Sequence, residues 1–304
     1  MTGTLSRARF SDACALVEAE GRALDGALVA RRFKGGGADA VRAALAAYQN
    51  VDGGFGHGLE PDLATPASTA IATSVGLRTL FELGAGADDP MVQGAFGWLD
   101  THIDKPAGVW PIISEEVDLA PHAPWWNWSD DLAENWNGFR YNASAELLAY
   151  LYAWPTPIAR DALAFANAGF RRTLAEGAPI EGAYDLKCAV RLAESSGLPG
   201  DMRRPLLDLI LRSIAAHDGS DVHLAVLELA PKPESILAEP LSDQVGPALD
   251  ALIAAQEDDG GWPLFWEWSY VDAAAWSKAR RDWRGSLARE ALERLSAWGR
   301  VAAA

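Results

Sequence analysis

The sequence is poor in cysteine and in basic residues, and each shortage excludes a class of protein. Only two of its 304 residues are cysteine, Cys14 and Cys188. We therefore expect no disulfide framework, and we expect the protein to reside in a reducing compartment. Lys and Arg number 26 against 42 Asp and Glu, and this net charge of −16 argues against a nucleic-acid partner. It also weighs against a polyanionic substrate.

Long apolar runs are absent as well. No run approaches the roughly 18 to 20 uninterrupted apolar residues that a membrane-spanning helix needs. Residues 1–10 contain arginines but no apolar segment, which does not support a secretory signal. We therefore expect a cytoplasmic protein of one domain over residues 1–304, with peripheral membrane contact and oligomeric state left open.

What the sequence does contain is a repeated motif. Residues 49–55 read Gln-Asn-Val-Asp-Gly-Gly-Phe, and the pattern Gln-x-x-Asp-Gly-Gly-aromatic returns 207 residues later at 256–262. The glycine pair lets the backbone leave a helix through dihedral angles that other residues avoid, while the Gln and Asp side chains satisfy freed backbone groups. Repetition at this distance indicates structural units of one fold, and the motif is predicted to connect stacked helices.

These motifs resemble the repeats of the terpenoid cyclase and protein prenyltransferase superfamily, as does Gly58-Leu59-Glu60-Pro61-Asp62 after the first copy. The resemblance implies an all-α fold, an (α/α)6 toroid of alternating inner and outer helices around a central cavity. Each motif would join an outer helix to the next inner helix.

Hydrophobic spacing gives about six helices of each kind. They are predicted at 11–33, 38–49, 65–83, 88–102, 139–153, 158–176, 185–195, 202–216, 221–229, 242–256, 272–283 and 286–300. Residues 108–111 keep the glycine and aromatic of a degenerate connector. They are followed by a tryptophan-rich insertion at about 114–138, which is too long for an ordinary connection and too apolar for disorder.

A first candidate cluster follows the leading motif and consists of His57, Glu60 and Asp62. Carboxylates near the start of a helix cap its free amides, which is the structural interpretation. The functional interpretation is that Glu60 acts as a general acid or base on the cavity, with His57 and Asp62 contacting substrate, because an apolar cavity raises a carboxyl pKa.

A second cluster lies in the insertion, where Asp130, Asp131 and Glu134 form an Asp-Asp-x-x-Glu string. The string resembles the magnesium and diphosphate motif of terpene synthases that start by ionisation, and it also suits a helix start. The alternative is a lid whose tryptophans cover the cavity. Those tryptophans are Trp125, Trp126 and Trp128.

A third cluster combines aromatic and acidic residues near the second motif. Such a mixture suits either stabilisation of a carbocation or stacking on sugar rings with carboxylates beside them, and it also suits plain helix packing. The predicted substrate-binding residues of this group are Trp262, Trp266, Trp268 and Tyr270, with Trp110, Arg140 and Tyr141 from elsewhere in the chain, and the predicted acid is Glu267.

Zinc and magnesium stay open as cofactors. Prenyltransferases of the superfamily hold zinc through an Asp-x-Cys and a later His, which by resemblance points to Asp185, Cys188 and His223. The spacing from Asp185 to Cys188 is one residue too long, and the basic positions upstream hold Ile180, Glu181 and Gly182 instead.

The resulting prediction is an enzyme acting on a small apolar, isoprenoid-like substrate in an aromatic cavity by carboxyl general acid–base chemistry. The predicted acid–base residues are Glu60, Asp130, Asp131 and Glu267. The Asp-x-Asp-Asp acid of triterpene cyclases does not occur in the sequence. A carbohydrate-active toroid, a zinc-dependent prenyltransferase-like protein and a non-catalytic scaffold remain as alternatives.

Overall fold

The computed structural model describes residues 3–216 and 225–302, and this part of the chain is helical. It contains thirteen α-helices and no β-strand beyond isolated bridges, which confirms the all-α class. The helices are α1 (Arg7–Glu20), α2 (Ala23–Phe33), α3 (Ala38–Ala46), α4 (Ala70–Glu82), α5 (Pro90–His102), α6 (Leu132–Asn135), α7 (Ser144–Ala153), α8 (Arg160–Glu176), α9 (Ala183–Glu194), α10 (Gly200–Ala216), α11 (Val226–Leu229), α12 (Ser242–Ala254) and α13 (Ala273–Ala297). Among these described helices, none is both long and apolar enough to cross a membrane.

Contacts between Cα atoms divide the chain into two compact units. Unit 1 comprises residues 1–47 and 225–304, and unit 2 comprises residues 48–224. Unit 1 therefore holds α1–α3 and α11–α13, whereas unit 2 holds α4–α10. The leading motif belongs to unit 2 and its copy belongs to unit 1.

In unit 1, α13 packs along α1 and against α2, and two of the predicted helix boundaries there are wrong. The predicted helix 11–33 is two helices, because the backbone turns extended at Gly21 and ends α1. The predicted break near 284–285 does not occur, and α13 runs through Gly285. A Cβ on Gly285 would overlap the Cα of Gly21, so this glycine serves close packing instead of a helix end.

In unit 2 the helices alternate between two layers. Helices α4, α7 and α9 pack as successive neighbours in one layer, and α5, α8 and α10 do so in the other. The chain passes between the layers at each step, since α4 contacts α5, α7 contacts α8 and α9 contacts α10. The predicted insertion lies between α5 and α7 and consists of 3-10 helices, turns and the short helix α6.

The two clear motifs fold into the same turn. The φ angle is 93° at Gly53 and 92° at Gly260, values that favour glycine. In each copy the Asp side chain accepts a hydrogen bond from the N–H two residues on, at 2.9 Å from Gly54 and 3.0 Å from Gly261. The predicted repetition of one structural unit is thus confirmed at the level of the turn.

The glutamines of the two motifs also have the same role. Gln49 Nε2 donates to Gly53 O within its turn and to Met91 O on α5, both at 2.9 Å. Gln256 Nε2 donates to Gly260 O within its turn and to Arg9 O on α1, both at 3.0 Å. Each glutamine therefore fastens its turn to a neighbouring helix of the same unit.

The degenerate connector predicted at 108–111 keeps this arrangement with different residues. Gly108 has φ 72° and packs on Gly169 of α8. Here the fastening side chain comes from the helix, because Arg172 of α8 donates to the carbonyl oxygens of Pro106 and Ala107 at 3.0 and 2.9 Å. Because the helix supplies the donor side chain and the connector supplies the acceptors, this copy needs no glutamine.

Replacing Gln256 with alanine is expected to lower the free energy of unfolding by about 1 to 2 kcal/mol. The variant loses both hydrogen bonds of a side chain that is 5% exposed. Urea unfolding followed by circular dichroism measures the effect. Gln244→Ala, at an exposed position of α12, is the matched control and should change stability by less than about 0.5 kcal/mol. Equal losses in the two variants would contradict a fastening role for Gln256.

Candidate functional site

The candidate site is built on α7, the middle helix of the α4–α7–α9 layer. Residues 144–151 of α7 are all buried, and Glu146 is the one charged residue among them. A buried carboxylate is costly unless other groups compensate its charge. Its neighbours on α4 and α9 supply that compensation.

Glu146 is bound by two arginines and a tyrosine. Arg78 of α4 donates Nε to Oε1 at 2.7 Å and Nη2 to Oε2 at 2.8 Å, while Arg191 of α9 donates Nη1 to Oε2 at 2.8 Å. Tyr150 donates its hydroxyl to Oε1 at 2.7 Å. Burial raises the pKa of Glu146, but the charges of Arg191 and Arg78 outweigh it and hold the pKa at about 2. This carboxylate is therefore fixed in its ionised form.

Asp185, at the start of α9, is buried in a different electrostatic environment. Its Oδ2 accepts from Asn137 Nδ2 at 2.6 Å and its Oδ1 accepts from Asn142 N at 3.0 Å, so both donors are neutral. Among the described residues it forms no salt bridge. Burial raises its pKa, and the two hydrogen bonds lower it only in part. Such a carboxyl can exchange a proton nearer to neutral pH than an ordinary Asp.

A cleft of about 320 Å³ reaches the hydrogen-bond partner of Asp185 but does not include Asp185 itself in its lining. Asn137, whose amide binds the Asp185 carboxylate, forms part of its wall. The lining residues are Glu134, Asn137, Gly138, Arg140, Tyr141, Thr173, Ala178, Pro179, Ile180 and Glu181. Burial, together with the negative charge of Asp185, raises the pKa of Tyr141 to about 12, so this hydroxyl stays protonated and can donate a hydrogen bond.

The wall of the cleft is formed by backbone in an uncommon conformation. Asn137, Gly138 and Phe139 are three successive residues with positive φ, at 49°, 66° and 58°. Non-glycine residues in this region cost free energy and are found more often at functional sites than elsewhere. Here the conformation presents the Asn137 amide to Asp185 on one side and to the cleft on the other.

Asn142 and Cys188 connect the two carboxylates. The Asn142 N–H binds Asp185, and its side-chain Oδ1 lies 3.7 Å from Cys188 Sγ, which in turn lies 3.8 Å from Glu146 Oε2. Burial and the charge of Glu146 raise the pKa of Cys188 to about 12, so its thiol is unreactive at neutral pH. A continuous row of polar groups thus runs from the cleft wall into the helix layer.

Comparisons with protein-family models, curated proteins and solved structures found no match to this chain.

The first predicted cluster lies in the loop after the leading motif. His57 Nε2 lies 2.8 Å from Asn50 Oδ1, which ties it to the connector. Glu60 is half-buried and Asp62 is buried at 3% exposure. The insertion packs on this loop, because Ala123 N donates to Asp62 O at 2.9 Å.

The acidic string of the insertion lies partly at the cleft. Asp130 and Asp131 are exposed at the start of α6, whereas Glu134 lines the cleft with Arg140 and Tyr141. One residue of the predicted acidic string, Glu134, therefore shares the cleft with two of the predicted substrate-binding residues, Arg140 and Tyr141. Within the described residues, no group of three or more His, Cys, Asp and Glu side chains is arranged to hold a metal ion.

The tryptophans of the insertion differ in exposure. Trp126 is 5% exposed and stacks on Trp136 with ring centroids 5.0 Å apart. Trp125 and Trp128 are 39% and 38% exposed. Trp110, also predicted to bind substrate, is fully buried and donates its indole N–H to Leu99 O at 2.9 Å, which is a packing role.

The third cluster lies in unit 1. Trp262 packs on α12 by donating its indole N–H to Leu252 O at 2.8 Å, and Trp268 is buried against Trp276. Trp266 meets Trp283 edge-on. Glu267 and Tyr270 are exposed.

The zinc set predicted by resemblance is only partly described. Asp185 and Cys188 both contact Asn142, and Cys188 is buried beside Glu146. His223 lies outside the described residues. Metal analysis of the purified protein would test this alternative directly.

Glu146, Arg78 and Arg191 were not among the residues predicted from sequence, and Asp185 was predicted only as a metal ligand. A signal was present for Arg78 and Glu146, since each stands in a run of small and apolar residues, whereas Arg191 lies between Lys187 and Glu194. Lone charges in buried helices are paired or functional. Their partners, however, are 68 and 45 residues apart in the chain and meet only through packing.

Proposed function

We propose that this protein is an (α/α)6 toroid enzyme of the terpenoid cyclase type, in which the Asp185 carboxyl transfers a proton to or from a small, largely apolar substrate. The repeated connector geometry supports the toroid. The observation that carries the proposed chemistry is the environment of Asp185, a buried carboxylate with neutral donors beside a cleft.

Comparison with two other buried carboxylates, Asp25 and Glu146, favours Asp185. Asp25 in unit 1 accepts from Arg22 at 2.7 Å and from Arg289 at 3.1 Å, and Glu146 is held by two arginines of its own unit. Their charge is compensated, so both stay ionised and give up no proton near neutral pH. Asp185 lacks such compensation, and its raised pKa suits general acid–base catalysis.

The raised pKa of Asp185 also limits the types of reaction that it can catalyse. A carboxyl made less acidic is a poor donor to an isolated alkene, which is a weak base. It is better suited to removing a proton next to an activating group and returning it elsewhere. Isomerisation or dehydration of an isoprenoid-like compound is therefore preferred over cyclisation started by alkene protonation.

The cleft supplies the other groups that such a step needs. Tyr141 offers a protonated hydroxyl, and Ile180 and Pro179 supply an apolar wall. Asp185 does not line the cleft itself, so the proposal requires the Asn137 amide to move away from Oδ2 and admit substrate to the carboxyl. Proton transfer requires that contact, since donor and acceptor must come within hydrogen-bond reach.

Asp185→Asn is expected to reduce proton transfer at least about 100-fold without unfolding the protein. The protein is incubated in D2O with a panel of isoprenoid alkenes, alcohols and ketones, and deuterium incorporation is followed by mass spectrometry. Asp201→Asn, an exposed Asp on α10 of the same unit, is the matched control. Amide variants of Glu60, Asp130, Asp131 and Glu267 test the acids predicted from sequence.

Two outcomes would overturn the proposal. One is incorporation by the Asp185→Asn variant at the wild-type rate. The other is complete absence of incorporation by the wild-type protein across the panel. If deuterium incorporation were lost in only one of the other four amide variants, the acid–base role would be assigned to that residue.

A carbohydrate-active enzyme is the second candidate, because Glu134 and Glu181 place two further carboxylates on the same cleft. Paired carboxylates across a binding site are the usual arrangement for glycoside hydrolysis. This alternative expects soluble oligosaccharides to raise the melting temperature, an effect that isoprenoids would not reproduce.

A further inference from the structure

The guanidinium groups of Arg78 and Arg191 carry more hydrogen-bonding capacity than Glu146 uses. Arg78 gives two N–H groups to Glu146 and Arg191 gives one. Within the described part of the chain, the remaining N–H groups of these two side chains have no hydrogen-bonded acceptor. A guanidinium cannot lose its charge in a protein, so these donors are permanent.

Solvent reaches the arginines but not the carboxylate between them. The side chains of Arg78 and Arg191 are 29% and 34% exposed, whereas Glu146 is 1% exposed. The arrangement differs from that of Asp25, whose partners Arg22 and Arg289 are only 8% and 13% exposed. The arginines of unit 2 are therefore held by a buried anion while their free donors face an accessible surface.

The charge of this group favours an anion. Two guanidinium charges against one carboxylate leave an excess of one positive charge. Glu82 lies one helical turn after Arg78 and its charge also acts on that guanidinium, but Glu82 is exposed and acts more weakly than the buried Glu146. A singly charged oxyanion balances the excess, whereas a dianionic phosphate would leave a negative charge uncompensated.

The surface beside Arg78 is apolar. Ile71, Val75 and Arg78 follow one another at helical spacing and are half-buried, while Ala72, Ser74 and the other residues between them are buried. One face of α4 therefore presents two aliphatic side chains in line with the guanidinium. An acid with an apolar chain fits both features.

From these contacts we propose that Arg78 and Arg191 bind the carboxylate of an organic acid, with its aliphatic chain lying against Ile71 and Val75. Glu146 and Tyr150 act as positioning residues, because Glu146 fixes the two guanidiniums before the ligand arrives and the Tyr150 hydroxyl holds Glu146. A planar carboxylate matches the paired N–H groups of a guanidinium, and preformed donors reduce the entropy lost on binding.

Titration calorimetry with octanoate, 1-octanol and inorganic phosphate tests the site on the wild-type protein. Octanoate is expected to bind at least roughly tenfold more tightly than octanol, which has the same chain without the charge, because charge-assisted hydrogen bonds are lost. Phosphate should bind more weakly than octanoate. Equal affinity for octanol and octanoate, or tighter binding of phosphate, would overturn the proposal.

The Arg191→Gln variant tests whether octanoate binds at the two arginines. The variant should weaken octanoate binding roughly tenfold or more, while the two hydrogen bonds from Arg78 to Glu146 still connect α4 to α7. Arg171→Gln, at an arginine of α8 that pairs with Asp201, is the matched control and should bind octanoate as the wild type does. Unchanged affinity in Arg191→Gln would place any octanoate site elsewhere and refute the assignment.

The proposal is independent of proton transfer by Asp185. Asp185→Asn should bind octanoate with wild-type affinity, and Arg191→Gln is judged by binding alone. If Arg191→Gln does not fold, the comparison of octanoate with octanol on the wild-type protein still decides whether a carboxylate is recognised.

Discussion

Replacing Glu146 with glutamine is expected to lower the free energy of unfolding by about 3 kcal/mol, because two arginines then lose the anion that holds them. Glu146 is 1% exposed and accepts hydrogen bonds from Arg78, Arg191 and Tyr150. A neutral amide cannot balance the guanidinium charges. Arg78 and Arg191 are partly exposed, so water can still solvate them in the variant. The loss of stability should therefore lie near the lower end of the range measured for broken buried ion pairs.

The pH dependence of stability provides an internal check on this prediction. The pKa of Glu146 lies at about 2 in the folded protein, against an ordinary value of 4.5. A depressed pKa means that the stabilisation is present above pH 4.5 and is lost as the pH falls towards 2, by about 3 kcal/mol in total. Urea unfolding from pH 7 to pH 2 should show this loss in the wild type. The part due to Glu146 should be missing in Glu146→Gln.

Glu194→Gln provides the control for a carboxylate on the same layer of helices. Glu194 is exposed at the end of α9, so its amide variant should change stability by less than about 0.5 kcal/mol. If Glu146→Gln proved as stable as Glu194→Gln at pH 7, the arginines would not depend on the buried carboxylate. The account of the site as a preformed pair of guanidiniums would then fail.

Gly53→Ala is expected to be the other severely destabilising substitution, with a loss of about 3 kcal/mol or more. Two independent costs combine at this position. The φ angle of 93° is unfavourable for any residue with a Cβ, and that Cβ would overlap the carbonyl oxygen of Gly94 on α5. Relief would require the turn to move off α5, which would also break the hydrogen bond from Gln49 to Met91.

Two glycine controls separate the strain from the overlap. Gly84→Ala has a φ of 76° but open space around it, so it should lose only about 1 kcal/mol. Gly97→Ala lies within α5 with nothing near its Cβ position, and should be neutral or slightly stabilising. Thermal and urea unfolding of the three variants give the comparison. Similar losses in Gly53→Ala and Gly84→Ala would show that contact with α5 contributes little.

The connectors were predictable because their signal is local. A glycine at positive φ and an Asp that binds the N–H two residues on act within a few residues, so the pattern at 49–55 and 256–262 could be recognised without the fold. The wrong boundaries at Gly21 and Gly285 show the limit. A glycine ends a helix in one place and permits close packing in another, and only the neighbouring helix decides between these uses.

The sequence alone therefore determined the helical class, the repeated turns and the tryptophan-rich insertion, since each depends on residues close together in the chain. Only the tertiary structure decided which carboxylates are fixed as anions and which can exchange a proton. The pKa of a buried acid depends on charges brought to it by other helices. Arg78 and Arg191 reach Glu146 from α4 and α9, whereas Asp185 receives only the two neutral donors of Asn137 and Asn142.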